Sequence, residues 1–319
     1  MIWLIGAGLM AREYVDVLKH MEVSFQTIGR GEKNAHQLAN EKGISVHSGG
    51  LMSWLEKQPD LPSSVIVAVG VQQLYETTHQ LITYGVRKIL IEKPGGLNFE
   101  EIHHLNEYAN AKSCEVYVAY NRRFYASVFE TKRRIEQDGG LTSFHFEFTE
   151  WSDNIEVLET SQVCKENWFL GSPSHVIDLA FFIGGQPRNF QAYQSGQSRL
   201  SWHPQCSIFT GAGITELGAL FSYCANWDAP GRFSLEFMTQ KNRYVLCPME
   251  FLKVQERNSL QQQNVPCDYS RETDLKAGLF DQTQAFLQDE LPEEFLSLEA
   301  QLEKKAIYET IFHGGTYGY

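Results

Sequence analysis

A glycine-rich turn near the first residue has the spacing of a nucleotide-binding loop. Gly6, Gly8 and Ala11 form a G-x-G-x-x-A pattern after the apolar run at residues 2–5. In such a turn the first glycine permits a tight bend, and the second lets a pyrophosphate approach the backbone. The small third residue keeps the following helix close to the strand. The pattern predicts a dinucleotide site, and a purely structural glycine turn is the alternative.

A lysine at a strand end is the second candidate for chemistry. Glu92, Lys93 and Pro94 follow the apolar segment 87–91, and doubly wound sheets bind ligands at the carboxyl ends of their strands. An ammonium group there can hydrogen-bond a hydroxyl or carbonyl oxygen and stabilise negative charge that develops on it. Pro94 fixes the turn and allows a cis peptide bond. A surface lysine before a proline-glycine loop is the alternative.

His175 lies in the first turn of a predicted helix. Ser172 is a suitable N-cap and Pro173 a suitable first helical residue. The positive end of the helix dipole favours a neutral imidazole, which can accept a proton from an alcohol. Asp178 shares the helix face of His175 and is placed to orient the ring. The alternative is a histidine packed on an apolar helix, with Asp178 exposed.

These residues depend on two kinds of sheet to position them. Over residues 1–120, strands are expected at 2–5, 23–28, 64–69, 87–91 and 115–119, and helices at 11–20, 32–41, 72–84 and 99–111. After a helix at 125–137, longer alternating segments favour an antiparallel sheet with one buried face, at 143–149, 206–211, 215–223, 232–239 and 242–246. Helices are expected again at 272–288 and 297–312.

The pattern predicts an α/β chain with two consecutive domains. The first, residues 1–120, is a Rossmann domain with a doubly wound parallel sheet that binds NAD(P). The second, residues 121–319, is an α+β domain for substrate binding and oligomerisation, built on an open, largely antiparallel sheet. We expect the ligand site in the cleft between the two domains.

Four motifs together resemble the Gfo/Idh/MocA oxidoreductase family over nearly the whole chain. They are the glycine turn at 6–11, Glu-Lys-Pro-Gly-Gly at 92–96, Tyr-Asn-Arg-Arg-Phe at 120–124, and Ser-His-Val-Ile-Asp at 174–178 followed by Gly-Gly at 184–185. The resemblance implies hydride transfer between NAD(P) and a hydroxyl or carbonyl of a sugar, polyol or nucleotide sugar. It also implies homo-oligomers, dimers or tetramers, formed through the outer face of the second sheet. Lys93 would polarise the reacting oxygen and His175 would move the proton.

The expected binding sites include more residues than this catalytic pair. Cofactor contacts are expected from Gly6, Gly8, Leu9, Met10, Arg30, Glu92, Lys93 and Trp168. The family places a tryptophan in the region of Trp168 beside the nicotinamide, although a core tryptophan is equally compatible with the sequence. Substrate contacts are expected from Asn121, Arg123 and Asp178. For Asn121 and Arg123, the alternative is a hinge held by buried aromatic residues and an ion pair.

Arg30 bears on the choice between the two nicotinamide cofactors. It follows the second strand, where an acidic residue would hold the ribose hydroxyls of NAD and an arginine would accommodate the phosphate of NADP. No aspartate lies at this strand tip, and Lys33 is near. We therefore expect NADP(H), although Glu32 could serve as the acid and Arg30 could simply form a surface turn.

The chain departs from the family pattern at two places. Many members carry an aspartate four residues before the histidine, where this chain has Gly171. A proline, an asparagine and a histidine that are common after the fourth strand are replaced by Gly70, Val71 and Leu74. Two other functions therefore stay open: a non-catalytic NAD(P)-binding regulator, and a reductase of a non-sugar ligand such as a tetrapyrrole.

The composition and net charge of the chain disfavour several classes of binding partner. The formal charge of −12 disfavours nucleic acid and anionic membrane surfaces, which need basic patches. No leader and no apolar run of about 18 residues is recognisable, so we expect a cytoplasmic protein. Six scattered cysteines and the histidines at 103, 104 and 145 lack metal-ligand spacing, so no metal is expected.

Overall fold

The structure is a computed structural model that describes residues 1–318. The chain forms two compact units, and the first contains residues 1–121 and 270–303. The second contains residues 122–269 and 304–318. This differs from the two consecutive domains expected, because the segment 270–303 leaves the second unit and packs with the N-terminal one. Within residues 1–318, no helix is both long and apolar enough to span a bilayer.

The first 121 residues alternate strands and helices. The strands are β1 (Ile2–Ile5), β2 (Phe25–Ile28), β3 (Val46–His47), β4 (Ser64–Val67), β5 (Lys88–Glu92) and β6 (Glu115–Ala119). The helices are α1 (Leu9–His20), α2 (Glu32–Lys42), α3 (Gly50–Leu55), α4 (Leu74–Tyr84) and α5 (Phe99–Ala111), with a 3₁₀ helix at Val71–Gln73.

The rest of the chain contains more strand. Its helices are α6 (Ala126–Gln137), α7 (Ser152–Glu156), α8 (Gln162–Glu166), α9 (Trp168–Gly171), α10 (Ser174–Gly184), α11 (Leu279–Phe286), α12 (Leu298–Glu303) and α13 (Lys305–His313). Its strands are β7 (Ser143–Phe148), β8 (Pro187–Ser195), β9 (Ile208–Thr215), β10 (Leu220–Asn226), β11 (Phe233–Met238), β12 (Asn242–Leu246), β13 (Lys253–Glu256), β14 (Gln262–Asn264), β15 (Leu296–Ser297) and β16 (Gly315–Tyr317). A second 3₁₀ helix spans Asn121–Phe124.

The first unit contains a seven-stranded sheet in the order β15-β6-β5-β4-β1-β2-β3. All pairs are parallel except β15 with β6. Every residue of β1 and β4 is buried, as expected for strands covered on both faces. The strand order reverses between β1 and β4, and doubly wound sheets bind ligands at that point. The predicted Rossmann fold is confirmed.

The second unit contains a nine-stranded sheet in the order β14-β13-β12-β11-β7-β10-β9-β8-β16. The pairs are antiparallel except β7 with β10. Burial alternates along strand β7, as in a sheet with one covered face, with Phe144, Phe146 and Phe148 buried between partly exposed residues. The predicted open, largely antiparallel sheet is confirmed.

Several expected elements differ in the structure, and the helix expected at 297–312 is divided into α12 and α13 at Lys304. The strand expected at 215–223 is broken by a turn between β9 and β10, in which Gly218 adopts a φ of +87°. The helix expected at 272–288 spans only Leu279–Phe286, because Gly278 before it has a φ of +68°. Positive φ at both glycines interrupts the regular element.

Candidate functional site

The two glycines of the N-terminal turn have different structural roles. Gly6 has a φ of +134°, and a Cβ atom there would lie 2.2 Å from the carbonyl oxygen of Ala68, so the fold itself requires this glycine. A Cβ atom on Gly8 would meet no protein atom within 4 Å. Gly8 is the N-cap of α1 and provides no side-chain cap to the first N–H groups of that helix. The turn thus leaves open space beside uncapped N–H groups, which favour an anion.

A cavity of about 670 Å³ lies at the carboxyl ends of β1, β2 and β4. Its lining includes the turn and amide side chains, with residues Gly6, Ala7, Gly8, Arg30, Gly31, Asn34, Gly70, Gln72 and Gln73 among them. The open backbone at Gly8 and the arginine at a strand tip suit a phosphorylated dinucleotide, so these residues fit NAD(P). Sequence reasoning missed the amide residues, although their positions just after two strand ends were a usable signal.

Arg30 and Glu32 differ in their relation to this cavity. Arg30 is exposed and lines it, whereas Glu32 opens α2 and is not among the lining residues. With its amide oxygen turned toward the guanidinium group, Gln73 accepts a hydrogen bond of 3.0 Å from Nη2 of Arg30. Helix α1 begins at Leu9, two residues before the expected start, and the expected cofactor contacts Leu9 and Met10 do not line the cavity.

Glu92 and Lys93 lie where β5 ends, in the same unit. The Lys93–Pro94 peptide bond is cis, as the sequence allowed. The Oε1 atom of the Glu92 carboxyl is buried without a hydrogen-bond partner. Burial raises the pKa of Glu92 to about 7 against the opposing effects of Lys93, Tyr14 and Lys276. The Glu92 carboxyl group therefore changes between its protonated and ionised forms near neutral pH.

Asp178 lies in a buried ion cluster of the second unit. Its two carboxylate oxygens accept bonds of 2.7 Å from Nε and Nη2 of Arg123, and Nζ of Lys304 also donates to Oδ1. All three residues are buried, and Arg123 also stacks over the ring of Phe182. Burial alone would raise the pKa of Asp178, but Arg123 and Lys304 outweigh it and lower the pKa to about 2.

This cluster bears on two of the expected substrate contacts. Arg123 and Asp178 form a buried ion pair that uses Nε and Nη2 of Arg123 and both carboxylate oxygens of Asp178. Asp178 was expected to orient His175, but its oxygens are held by Arg123 and Lys304. Lys304 could not be predicted as a partner of Asp178, because a single lysine between two helices has no local sequence signature. Asn121 is buried, and its Nδ2 atom donates to the carbonyl of Ala277 at 3.0 Å.

His175 lies in the first turn of α10, the position expected for it. The helix begins at Ser174 with Pro173 as its N-cap, so the expected cap, Ser172, is wrong. The N–H of Ser172 bonds the carbonyl of Trp168, which commits Ser172 to the end of α9. Trp168 itself packs edge-on against Trp202, with ring centroids 6.0 Å apart.

The two departures from the family pattern have different surroundings. A Cβ atom on Gly171 would meet no protein atom within 4 Å, so the space next to the backbone at this position is open. Leu74, by contrast, is completely buried and belongs to the core. Among the described residues, no group of three or more histidine, cysteine, aspartate or glutamate side chains is placed to hold a metal ion.

Comparisons with known proteins identify the N-terminal part of the chain. Residues 1–120 match the Gfo/Idh/MocA family model, described as an oxidoreductase family with an NAD-binding Rossmann fold. No curated protein matches the sequence significantly.

Solved structures share the fold over almost the whole chain. A putative NADPH-dependent oxidoreductase from Desulfitobacterium hafniense has 14% identity and a TM-score of 0.78, covering 99% of this chain and 96% of its own. Levoglucosan dehydrogenase in complex with NADH and L-sorbose has 17% identity and a TM-score of 0.76, covering 98% and 95%. UDP-N-acetylglucosamine 3-dehydrogenase from Acidithiobacillus ferrooxidans has 14% identity and a TM-score of 0.71, covering 98% and 96%.

Proposed function

We propose that the chain is an NAD(P)-dependent oxidoreductase acting on CH–OH groups, because residues 1–120 match the model of the Gfo/Idh/MocA oxidoreductase family. The observation that carries the proposal is the space beside Gly8, which no protein atom fills and which adjoins the uncapped start of α1. A glycine that the fold does not need is best explained by a ligand that approaches its backbone.

Lys93 and His175 are the proposed catalytic residues. The nicotinamide ring, when bound, accepts or supplies the hydride. Lys93 lies at the carboxyl end of β5, where its ammonium group would hold the reacting oxygen and stabilise negative charge on it. His175 lies in the first turn of α10, where its imidazole would accept the alcohol proton during oxidation and return it during reduction.

NADP(H) is the proposed cofactor. Arg30 lines the cavity at the tip of β2, as an arginine that pairs with the 2′-phosphate should. The bond to Gln73 would hold its guanidinium group there. Glu32, the residue that could serve NAD instead, is not part of the cavity lining.

The proposed substrate is a sugar, a polyol or a nucleotide sugar. Two similar structures are dehydrogenases of such compounds, levoglucosan and UDP-N-acetylglucosamine. Asn121, Arg123 and Asp178 stay the predicted substrate contacts, and Trp168 stays a predicted neighbour of the nicotinamide. We also propose a homo-oligomer formed through the outer face of the nine-stranded sheet, where Tyr193 and Leu220 are 62% and 59% exposed. Light scattering that gave the monomer mass at micromolar concentration would exclude it.

The two glycines provide the test of cofactor binding. Gly8→Ala should leave the free energy of unfolding within about 0.5 kcal/mol of the wild type, because the new methyl group meets no protein atom. It should weaken NADPH binding at least tenfold in a fluorescence titration. Gly6→Ala is the matched control and should destabilise the protein itself, because its Cβ would overlap the Ala68 carbonyl. Unchanged NADPH affinity in Gly8→Ala would refute the proposed site.

Gly171 favours a second candidate function, a regulator that binds the cofactor without chemistry. The family aspartate is missing there, and a Cβ atom at this position would meet no protein atom within 4 Å. The two functions differ in a single-turnover experiment with bound NADP⁺ or NADPH and a panel of sugars and sugar ketones. An oxidoreductase exchanges hydride with at least one compound of the panel. A regulator binds both ligands and leaves the absorbance of the cofactor unchanged.

A further inference from the structure

We propose that Gln301 is a positioning residue for Lys93, because it holds the turn that presents this lysine. The inference rests on the proposed function, since the position of Lys93 matters for hydride transfer only if its ammonium group holds the reacting oxygen. All the groups involved lie in the first unit. Gln301 reaches that unit on the segment 270–303, which returns to it from the C-terminal part of the chain.

Lys93 lies in a tight turn at the end of β5. The N–H of Gly95 donates to the carbonyl of Glu92 at 3.1 Å, which closes the turn around Lys93 and Pro94. Pro94 is buried, whereas Lys93 is partly exposed. The carbonyl group of Pro94 therefore needs a hydrogen-bond donor from within the protein.

Gln301 supplies that donor. Its Nε2 atom donates to the Pro94 carbonyl at 3.2 Å and to the hydroxyl oxygen of Tyr120 at 3.0 Å. Gln301 and Tyr120 are both buried, with exposed fractions of 0% and 1%. A carbonyl oxygen can only accept, so the NH₂ end of the amide faces the turn, and its two hydrogens suit two acceptors. One amide group thus bonds residues just beyond the ends of two neighbouring parallel strands, β5 and β6.

The helix that carries Gln301 is anchored on the sheet and packs on the turn. Strand β15 pairs with β6, and the hydroxyl of its last residue, Ser297, accepts a bond of 3.1 Å from the N–H of Ala300. Helix α12 therefore begins directly at the sheet edge. Leu298 and Gln301 are three residues apart on α12, and both are buried. A Cβ atom on Gly95 would lie 3.2 Å from Cδ2 of Leu298, so this helix contacts the turn itself.

These contacts fix the backbone that follows Lys93. The bond to the Pro94 carbonyl sets the orientation of the peptide group between Pro94 and Gly95, and the Lys93 side chain begins one residue earlier. A displacement of about 1 Å in a catalytic group can lower a rate about a hundredfold. Gln301 therefore acts on the reaction through the backbone and needs no contact with the substrate or the cofactor.

The first measurement is amide hydrogen exchange at the turn, read by mass spectrometry. Gln301→Met keeps an unbranched side chain of similar length and removes both donors. Exchange should become about tenfold faster in the peptide that contains residues 93–97, because buried acceptors lose their partner and the turn opens more often. Peptides from β1 and β4 should exchange at the wild-type rate.

A second glutamine of the first unit provides the matched control. Nε2 of Gln26 on β2 donates to the backbone carbonyl of Thr27 at 3.0 Å. Gln26→Met thus removes the same kind of bond in another part of the same sheet, and it should leave exchange at 93–97 unchanged. Tyr120→Phe removes one of the two acceptors of Gln301 and should speed this exchange about threefold. It carries the test if Gln301→Met does not fold.

Turnover distinguishes positioning from a purely structural role. The wild type and Gln301→Met are compared on a compound of the sugar panel that exchanges hydride with NADP⁺ or NADPH. Gln301→Met should lower kcat about tenfold or more. The KM of that compound and the affinity for NADPH should change less than about threefold, because the glycine turn at 6–11 is not altered.

Unchanged exchange at 93–97 in Gln301→Met, or equally faster exchange in every peptide, would overturn the inference. So would a kcat within about twofold of the wild type, and in that case the proposed function stands while the positioning role is wrong. If the wild type exchanges hydride with no compound of the panel, the proposed function is wrong. The exchange data then decide by themselves whether Gln301 holds the turn.

Discussion

Glu92 in the first unit and Asp178 in the second are both carboxyl groups close in sequence to a proposed catalytic residue, yet their pKa values shift in opposite directions. Burial is the largest influence on both and raises both pKa values. The pKa of Asp178 is nevertheless lowered, because its oxygens are paired with Arg123 and Lys304. Glu92 leaves Oε1 unpaired, and burial dominates.

The comparison shows that ion pairs and hydrogen bonds to the carboxylate, more than the depth of burial, decide whether a buried carboxyl group is charged. A fully paired carboxylate is a fixed structural charge, whereas a partly paired one can exchange a proton near neutral pH. The second unit thus holds α10, and with it His175, through a permanent ion cluster. The first unit keeps a titratable group directly beside Lys93.

Asp178→Asn should have the largest effect. It removes the negative charge and leaves Arg123 and Lys304 buried without a counter-ion, which should lower the free energy of unfolding by about 3–5 kcal/mol. Urea unfolding at neutral pH measures the change. Asp228→Asn is the matched control, since its pair with Arg199 is exposed and should cost less than about 1 kcal/mol. Similar losses in both variants would remove the special role of the buried cluster.

Glu92→Gln should change how stability depends on pH. The pKa of Glu92 is about 7 in the folded chain and near 4.5 when unfolded, so its contribution is fully present below pH 4.5 and is lost as the pH rises through 7. The glutamine side chain does not ionise. The free energy of unfolding of the variant, relative to that of the wild type, should therefore increase by about 3 kcal/mol between pH 4.5 and 8. If the free energies of unfolding of the two proteins changed in parallel across that pH range, Glu92 would be ionised throughout it.

Lys304→Met should have the smallest effect of the three. It removes one charged hydrogen bond but leaves the two bonds between Asp178 and Arg123, so about 1.5–3 kcal/mol should be lost. The pKa of Asp178 should rise from about 2 while staying below that of Glu92. A loss as large as that of Asp178→Asn would mean that Lys304, and not Arg123, is the main partner.

Local pattern was enough to predict five of the seven strands of the first sheet, but not β3 or β15. The bounds of α5 and β6 agree with the sequence prediction, because apolar periodicity and an N-cap at Asn98 define them locally. The nine-residue strand β8 was not among the expected segments, since it begins with a proline and alternates polar residues with few apolar ones. The return of residues 270–303 to the first unit depends on packing between distant segments, which no local period reveals.

The site residues likewise fall into those predicted from local pattern and those brought in by packing between distant segments. The glycine turn, Lys93 and His175 lie where strand ends and a helix start were predicted. The ion cluster around Asp178 was not predicted. Its member Lys304 is 126 residues from Asp178 in the chain, and no local pattern connects the two. Tyr14, completely buried on α1, donates its hydroxyl to Oε1 of Gln282, which is 268 residues away in the chain.

The most direct test of the contrast between the two carboxyl groups is a carbon-13 NMR titration of both in the chain without ligands, with signals assigned through Glu92→Gln and Asp178→Asn. We predict a midpoint near pH 7 for Glu92, while Asp178 stays ionised down to about pH 2. Midpoints below pH 5 for both groups would contradict it.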